Sequence, residues 1–240
     1  MQVASKGLMW RQSFAGGGRT VLVLRADAGR MTVRLSSGSL APGSTNVTID
    51  WGDGTVDVLP RISGTTHTYR SERLYTVRIS DDLQSFGYTY GNPSNTDFTR
   101  DMLVELKSLG TKVTRIEGYC FNNCHNMTGV MHLPNVTQIG GYAFGTTLGI
   151  TDFILPSMTR LVQTSFYCGP SPRQMHADNV TQIDNRFWDY YGGHLADLYI
   201  RSRTCEQIKA MSGFPFKAGA AVRFHGSTGI VLGNGTIIHE

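Results

Sequence analysis

One four-residue phrase returns four times in the second half of this chain. It reads Val113-Thr114-Arg115-Ile116, Val136-Thr137-Gln138-Ile139, Met158-Thr159-Arg160-Leu161 and Val180-Thr181-Gln182-Ile183, at spacings of 23, 22 and 22 residues. Five residues beyond the second apolar position of each phrase stands a large ring: Phe121, Phe144, Phe166 and Trp188. A fixed period of this length is the signature of a solenoid. A unit so short cannot bury its own apolar side, so only stacking on its neighbours creates a core. The product is an extended surface that needs no cleft, which points to an interaction protein rather than an enzyme.

At 240 residues the chain is longer than a common single domain, and we expect two domains. Apolar and charged fractions of 40% and 17% describe a folded, weakly charged protein. No segment reaches the roughly 18 apolar residues of a membrane span. Lys6 and Arg11 are not followed by an apolar block, so the sequence carries no recognisable secretory signal. Either a leader has been trimmed or the general secretory route is not used. The net charge of +4 is uneven, because residues 1–45 hold Lys6, Arg11, Arg19, Arg25, Arg30 and Arg34 against Asp27 alone. These arginines are spaced through apparent strands and do not cluster as a phosphate-tracking patch, so no specific nucleic-acid partner is expected.

Cys120, Cys124, Cys168 and Cys205 contain no C-x-x-C pair and do not read as a disulfide framework. Cys120, Cys124 and His125 lack a second ligand pair at zinc-site spacing, and packing between repeats accounts for Cys124 and Cys168 better. The seven histidines are scattered, without H-E-x-x-H, and neither G-x-S-x-G nor a P-loop lysine is present. Gly16-Gly17-Gly18-Arg19 lacks the strand-before, helix-after setting of a phosphate cradle and reads as a turn. Asp50, Asp53 and Asp57 miss the calcium-loop spacing and read as turn-capping groups. Asn46, Asn126, Asn135, Asn179 and Asn234 lie in N-x-T sequons, but Asn135 and Asn179 merely precede the repeat's own threonine. We therefore expect no catalytic residue, no metal and no cofactor.

The first third reads as β-structure. Strands are expected over 20–25, 31–35, 46–50, 55–59 and 74–79, with Trp51-Gly52-Asp53-Gly54-Thr55 as a hairpin turn. Residues 85–95 read as a connecting loop. Thr99 as N-cap, Asp101 near the start, an apolar stripe at Met102, Leu103, Leu106 and Leu109, and Gly110 as terminator predict a helix sealing the first repeat. At the other end, Thr204 caps a short helix over 205–211, and strands over 222–225, 230–232 and 236–239 form a covering tail. The expected organisation is an N-terminal arm (1–17), a β-sandwich (18–82), a linker with capping helix (83–112), the solenoid (113–202) and a C-terminal cap of helix plus β-hairpin (203–240). The fold class is mainly β.

Two resemblances enter on these residues. Ile49-Asp50-Trp51-Gly52-Asp53-Gly54-Thr55, then His67-Thr68-Tyr69 and Tyr75-Thr76-Val77, resemble the PKD domain, an immunoglobulin-like sandwich common in extracellular proteins. The resemblance implies a structural role for these residues and no active site. The repeats resemble leucine-rich repeats of the bacterial surface-antigen, BspA-like type over about 113–201, with expected strands at 129–133, 152–155 and 196–200. The fourth repeat departs from the pattern with Trp188, Tyr190 and Tyr191, and exposed Tyr190 and Tyr191 would be partner anchors. Extracellular modules without a signal or paired cysteines suggest a phage virion component of tail, fibre or head decoration. There Trp10 and Phe14 on the basic arm would dock onto other virion proteins, and the chain would be oligomeric in the particle. The alternative is a cell-surface adhesin whose repeats bind a host protein or glycan.

Overall fold

The computed structural model describes residues 18–88, 99–162, 165–166, 172–184, 195–212, 214 and 222–239. Among the described residues the chain is mainly β with two short helices. Its N-terminal part runs β1 (Thr20–Ala26), β2 (Thr32–Gly38), β3 (Val47–Asp50), β4 (Val56–Leu59), β5 (Ile62–Thr68), β6 (Arg73–Ile79) and β7 (Ser85–Phe86). Then come α1 (Thr99–Met102) and β8 (Leu103–Ser108). One five-stranded sheet has the order β4-β3-β6-β1-β8, and β2 pairs with β5 separately. Alternation puts Leu22 and Leu24 of β1, Val33 and Leu35 of β2 and Tyr75, Val77 and Ile79 of β6 into the core.

The Trp51 turn shows why these particular residues recur together. Asp50 accepts the Gly52 amide at 2.9 Å, Asp53 accepts the Thr55 amide at 3.0 Å, and the Trp51 indole donates to Asp57 at 2.8 Å. Gly52 has φ +82°, and a Cβ there would meet the Thr76 carbonyl oxygen at 2.6 Å, so only glycine fits. His67 stacks on Trp51 at 4.7 Å and reaches Asp53 at 2.8 Å, while the Tyr69 hydroxyl donates to the Trp51 carbonyl at 3.1 Å. Burial alone would raise the Asp53 carboxyl. The Thr55 hydroxyl and amide and the His67 ring outweigh that and hold it at about 2. A carboxyl depressed when folded stabilises the protein above its unfolded value near 3.8, and that stability is lost as pH falls toward 2. Asp53→Asn is therefore expected to flatten the acid limb of stability between about pH 4 and pH 2, measured by urea titration across that range.

The expected capping helix over 99–110 is a correction. Only one helical turn forms, and Leu103–Ser108 is a strand lying antiparallel to β1. Leu103 faces Leu24 and Leu106 faces Leu22, with a register shift on either side of the Leu22–Val23 pair of positions. Each shift admits one extra residue, and a doubly bulged strand puts side chains three apart on the same face. The apolar spacing that resembles a helix is thus satisfied by the open edge of β1. Residues 85–86, expected in a loop, also form a strand, because β7 pairs in parallel with the first rung of the repeats.

The repeats supply β9 (Arg115–Ile116), β10 (Thr128–His132), β11 (Gln138–Ile139), β12 (Gly149–Ile154), β13 (Arg160–Leu161), β14 (Gln174–His176), β15 (Gln182–Ile183) and β16 (Asp197–Tyr199). After them come α2 (Cys205–Lys209), β17 (Arg223–His225), β18 (Gly229–Leu232) and β19 (Ile237–His239). Each repeat thus has two strands, and these stack into ladders along opposite flanks of a β-solenoid. One flank is a seven-stranded sheet ordered β10-β12-β14-β16-β17-β18-β19. The other is divided into β11-β9-β7 and β13-β15. Both apolar positions of all four phrases are buried, and the rings between the flanks form a column. Phe121 stacks on Phe144 at 5.3 Å and Phe144 on Phe166 at 5.9 Å, with Phe153 edge-on to the last two. Trp188 and Cys168 lie outside the described residues. The repeated threonine has its own ladder, in which Thr137 and Thr181 hydroxyls donate to the carbonyls of Thr114 and Thr159.

The helix capped by Thr204 forms, ending at Lys209, with a reciprocal capping box to Gln207. Cys120, Cys124 and Cys205 are buried, and burial pushes the Cys120 and Cys124 thiols up, which makes them packing residues. One cluster of buried apolar side chains runs without interruption from Leu22 to Val231.

A candidate binding face on the seven-stranded sheet

The strands of the seven-stranded flank are in register, so equivalent residues form rows across it. Met131, Phe153, Met175, Leu198, Phe224 and Val231 make the inward row and are buried. Successive side chains in a strand point to opposite faces. The neighbours of that row therefore point outward: His132, Ile154, His176, Tyr199, His225 and Ile230 on one side, and Val130, Asp152, Gln174, Asp197 and Arg223 on the other. Seven strands at about 4.8 Å span about 29 Å, which is the width of this surface.

The central rings stand upright on the sheet. His176 stacks on Tyr199 at 4.4 Å and 5°, and Tyr199 on His225 at 4.4 Å and 17°. Because their flat faces cover one another, a partner meets ring edges carrying imidazole N–H groups and a phenol hydroxyl. The Arg201 guanidinium lies 5.1 Å from the Tyr199 ring centre. Asp197, in the neighbouring outward row, anchors the rings from the side, accepting His225 at 2.6 Å and Arg223 through two nitrogens at 2.7 Å. Burial of Asp197 would raise its carboxyl, but the Arg223 and His225 hydrogen bonds and charges outweigh it and hold it low. Burial lowers the His132 and His176 rings, so both are neutral near pH 7, and Asp178 and Asp152 partly offset the effect at His176.

Rigid, pre-stacked aromatic side chains lose little entropy when a partner covers them, which is the property that makes rings effective interface anchors. Among the described residues no three His, Cys, Asp or Glu side chains converge as a metal site. A second, half-buried stack, Tyr119 on Tyr142 at 5.0 Å, sits on repeated corners where both residues have φ near +57°.

Trp10, Phe14, Tyr190 and Tyr191, the candidates named from sequence, lie outside the described residues. Sequence reasoning missed His132, His176, Tyr199 and His225. Their signal was a strand ending in the pattern apolar, outward residue, apolar: Met131-His132-Leu133, Met175-His176-Ala177 and Leu198-Tyr199-Ile200. It went unread because β14 lacks apolar length and β17 falls after the last phrase.

Comparison with known families matches residues 94–212 to the BspA type leucine rich repeat region, in six copies. The match begins before the first phrase and ends beyond the fourth, as does the ladder of strands. No curated protein and no solved structure matches the chain.

Proposed function

We propose that this is a non-enzymatic adhesion protein of a cell surface, which holds the seven-stranded face toward an external protein partner. BspA-type repeats suggest a surface or protein-binding role, and the match over residues 94–212 takes in β10, β12, β14 and β16 of this face, with β17, β18 and β19 following it. The observation that carries the assignment is the upright row His176–Tyr199–His225, braced from the neighbouring row by Asp197 and partly exposed on the outer face. In this reading the N-terminal sheets are a PKD-like, immunoglobulin-like module that spaces the repeats from their anchor. Its Trp51–His67–Tyr69 constellation is internal and structural, which fits a spacer. Placement in a virion draws no support from the repeat family. Quantitative mass spectrometry of washed envelopes beside purified phage particles is expected to find the chain in the envelope fraction; stoichiometric recovery in particles would restore the virion reading.

The binding test uses the purified full chain over an array of immobilised extracellular proteins. Tyr199→Ala is expected to weaken whatever protein the chain binds at least about tenfold, because truncating an interface anchor costs about 2 kcal/mol or more. Its melting temperature should stay within about 4 °C, since Tyr199 is only half-buried. Equal binding by the variant would remove this face as the contact, and detectable substrate turnover would overturn the non-enzymatic reading.

A further inference from the structure

The flank opposite the candidate face is interrupted. Between the first two repeats, Gln138 N–H donates to Thr114 at 3.2 Å and Gly140 N–H to Ile116 at 2.9 Å. Between the third and fourth, Gln182 N–H donates to Thr159 at 3.3 Å and Asp184 N–H to Leu161 at 2.8 Å. The equivalent bonds from Arg160 and Val162 to Thr137 and Ile139 are absent among the described residues, and β11 and β13 belong to different sheets. The Ile139 carbonyl accepts the buried Ser165 hydroxyl at 2.9 Å instead. A groove of about 550 Å³ occupies the break, bounded by residues 137–140 and 158–162.

The sequence supplies a reason for the gap. A Cβ on Gly140 would meet the Gly118 amide nitrogen at 2.4 Å, so the second repeat closes on the first only because glycine stands there. The second repeat presents the same kind of corner, with Tyr142 at φ 57°, but the third places Val162 where glycine is needed. Asp184, at the equivalent position of the fourth repeat, closes on the Leu161 carbonyl, where the preceding repeat has the sequence Val162-Gln163 in place of a glycine pair.

We propose that this break is a docking slot for an extended acidic peptide, which enters as an added strand. Its backbone would accept from the Arg160 and Val162 amides and donate to the Thr137 carbonyl, giving the edges the bonds the ladder omits. Ile139 and Leu161 face inward beside it and Gln138 and Arg160 outward, so inward peptide positions are apolar and outward ones polar. Arg115 and Arg160 both line the groove with half-exposed side chains, and no carboxylate does among the described lining residues. Glu117 and Asp184 occupy only part of these guanidinium groups, leaving N–H donors for a peptide carboxylate.

Two synthetic hexapeptides, one alternating valine with glutamate and one valine with lysine, test this against the full chain by amide exchange and NMR titration. The glutamate peptide is expected to slow exchange of the Arg160 and Val162 amides at least about tenfold and to bind at least about tenfold tighter than the lysine peptide. Arg160→Glu should invert that preference, and Tyr199→Ala should leave it unchanged, which separates this slot from the opposite face. No protection at about 1 mM peptide, protection confined to the seven-stranded sheet, or protection already present at high protein concentration without peptide would each overturn the proposal. The last would mean that a second copy fills the slot.

Discussion

Phe144→Ala is expected to cost about 3–5 kcal/mol of folding free energy, the range for deleting a fully buried phenylalanine. Phe144 is 0% exposed and sits mid-column, stacked on Phe121 and Phe166 and edge-on to Phe153. Rings from both neighbouring repeats lean on it, and the continuous β10-β12-β14 ladder holds those repeats in register, which limits local collapse. Urea denaturation with a fluorescence readout measures the loss. For a chain of this size each kcal/mol lowers the melting temperature by about 2–4 °C, so the midpoint should fall by roughly 10 °C. A loss below about 1 kcal/mol would show that the repeats relax around the void and that the column is not what stacks them.

Trp51→Ala should cost a similar amount, about 3–5 kcal/mol, although it lies in the other half of the chain. Trp51 is 0% exposed, stacks on His67 and donates its indole N–H to Asp57. Trp51→Phe keeps one ring against His67 but removes the indole bond and the second ring, and should lose less than Trp51→Ala, about 2 kcal/mol. Both Trp51→Ala and Phe144→Ala should shift one common transition, because β8 completes the N-terminal sheet, β7 begins a repeat sheet, and the buried cluster is continuous between them. Two transitions by calorimetry, each moved by only one of the variants, would show that the halves unfold independently.

The repeat architecture was readable because its signal is periodic and redundant. Val113, Val136, Met158 and Val180 are all buried, as are Ile116, Ile139, Leu161 and Ile183. Strand positions in the N-terminal part were readable for the related reason that alternation marks a half-buried sheet. β5 was not, since Ile62–Thr68 carries one buried apolar residue among threonines, and it is a strand because β2 offers it an edge. The helix expected at 99–110 failed where local spacing was ambiguous. Leu103 and Leu106 suit a helix face or a bulged strand equally, and the vacant edge of β1 chose the strand. The candidate face was only faintly legible, because the aligned rings are 23 and 26 residues apart in the chain and their alignment depends on the parallel register.

By itself the sequence determined the period, the inward-facing residues, the ring column, the glycine at Gly52 and the capped helix after Thr204. These follow from side-chain size, alternation and φ preference, which act within a few residues or repeat at fixed intervals. Tertiary structure decided that the two halves share one core, that His176, Tyr199 and His225 stack into one surface, and that the opposite ladder breaks between β11 and β13. Each of those depends on which strand edges meet and how closely two repeats approach, and hydrogen bonding and steric contact between distant segments settle both.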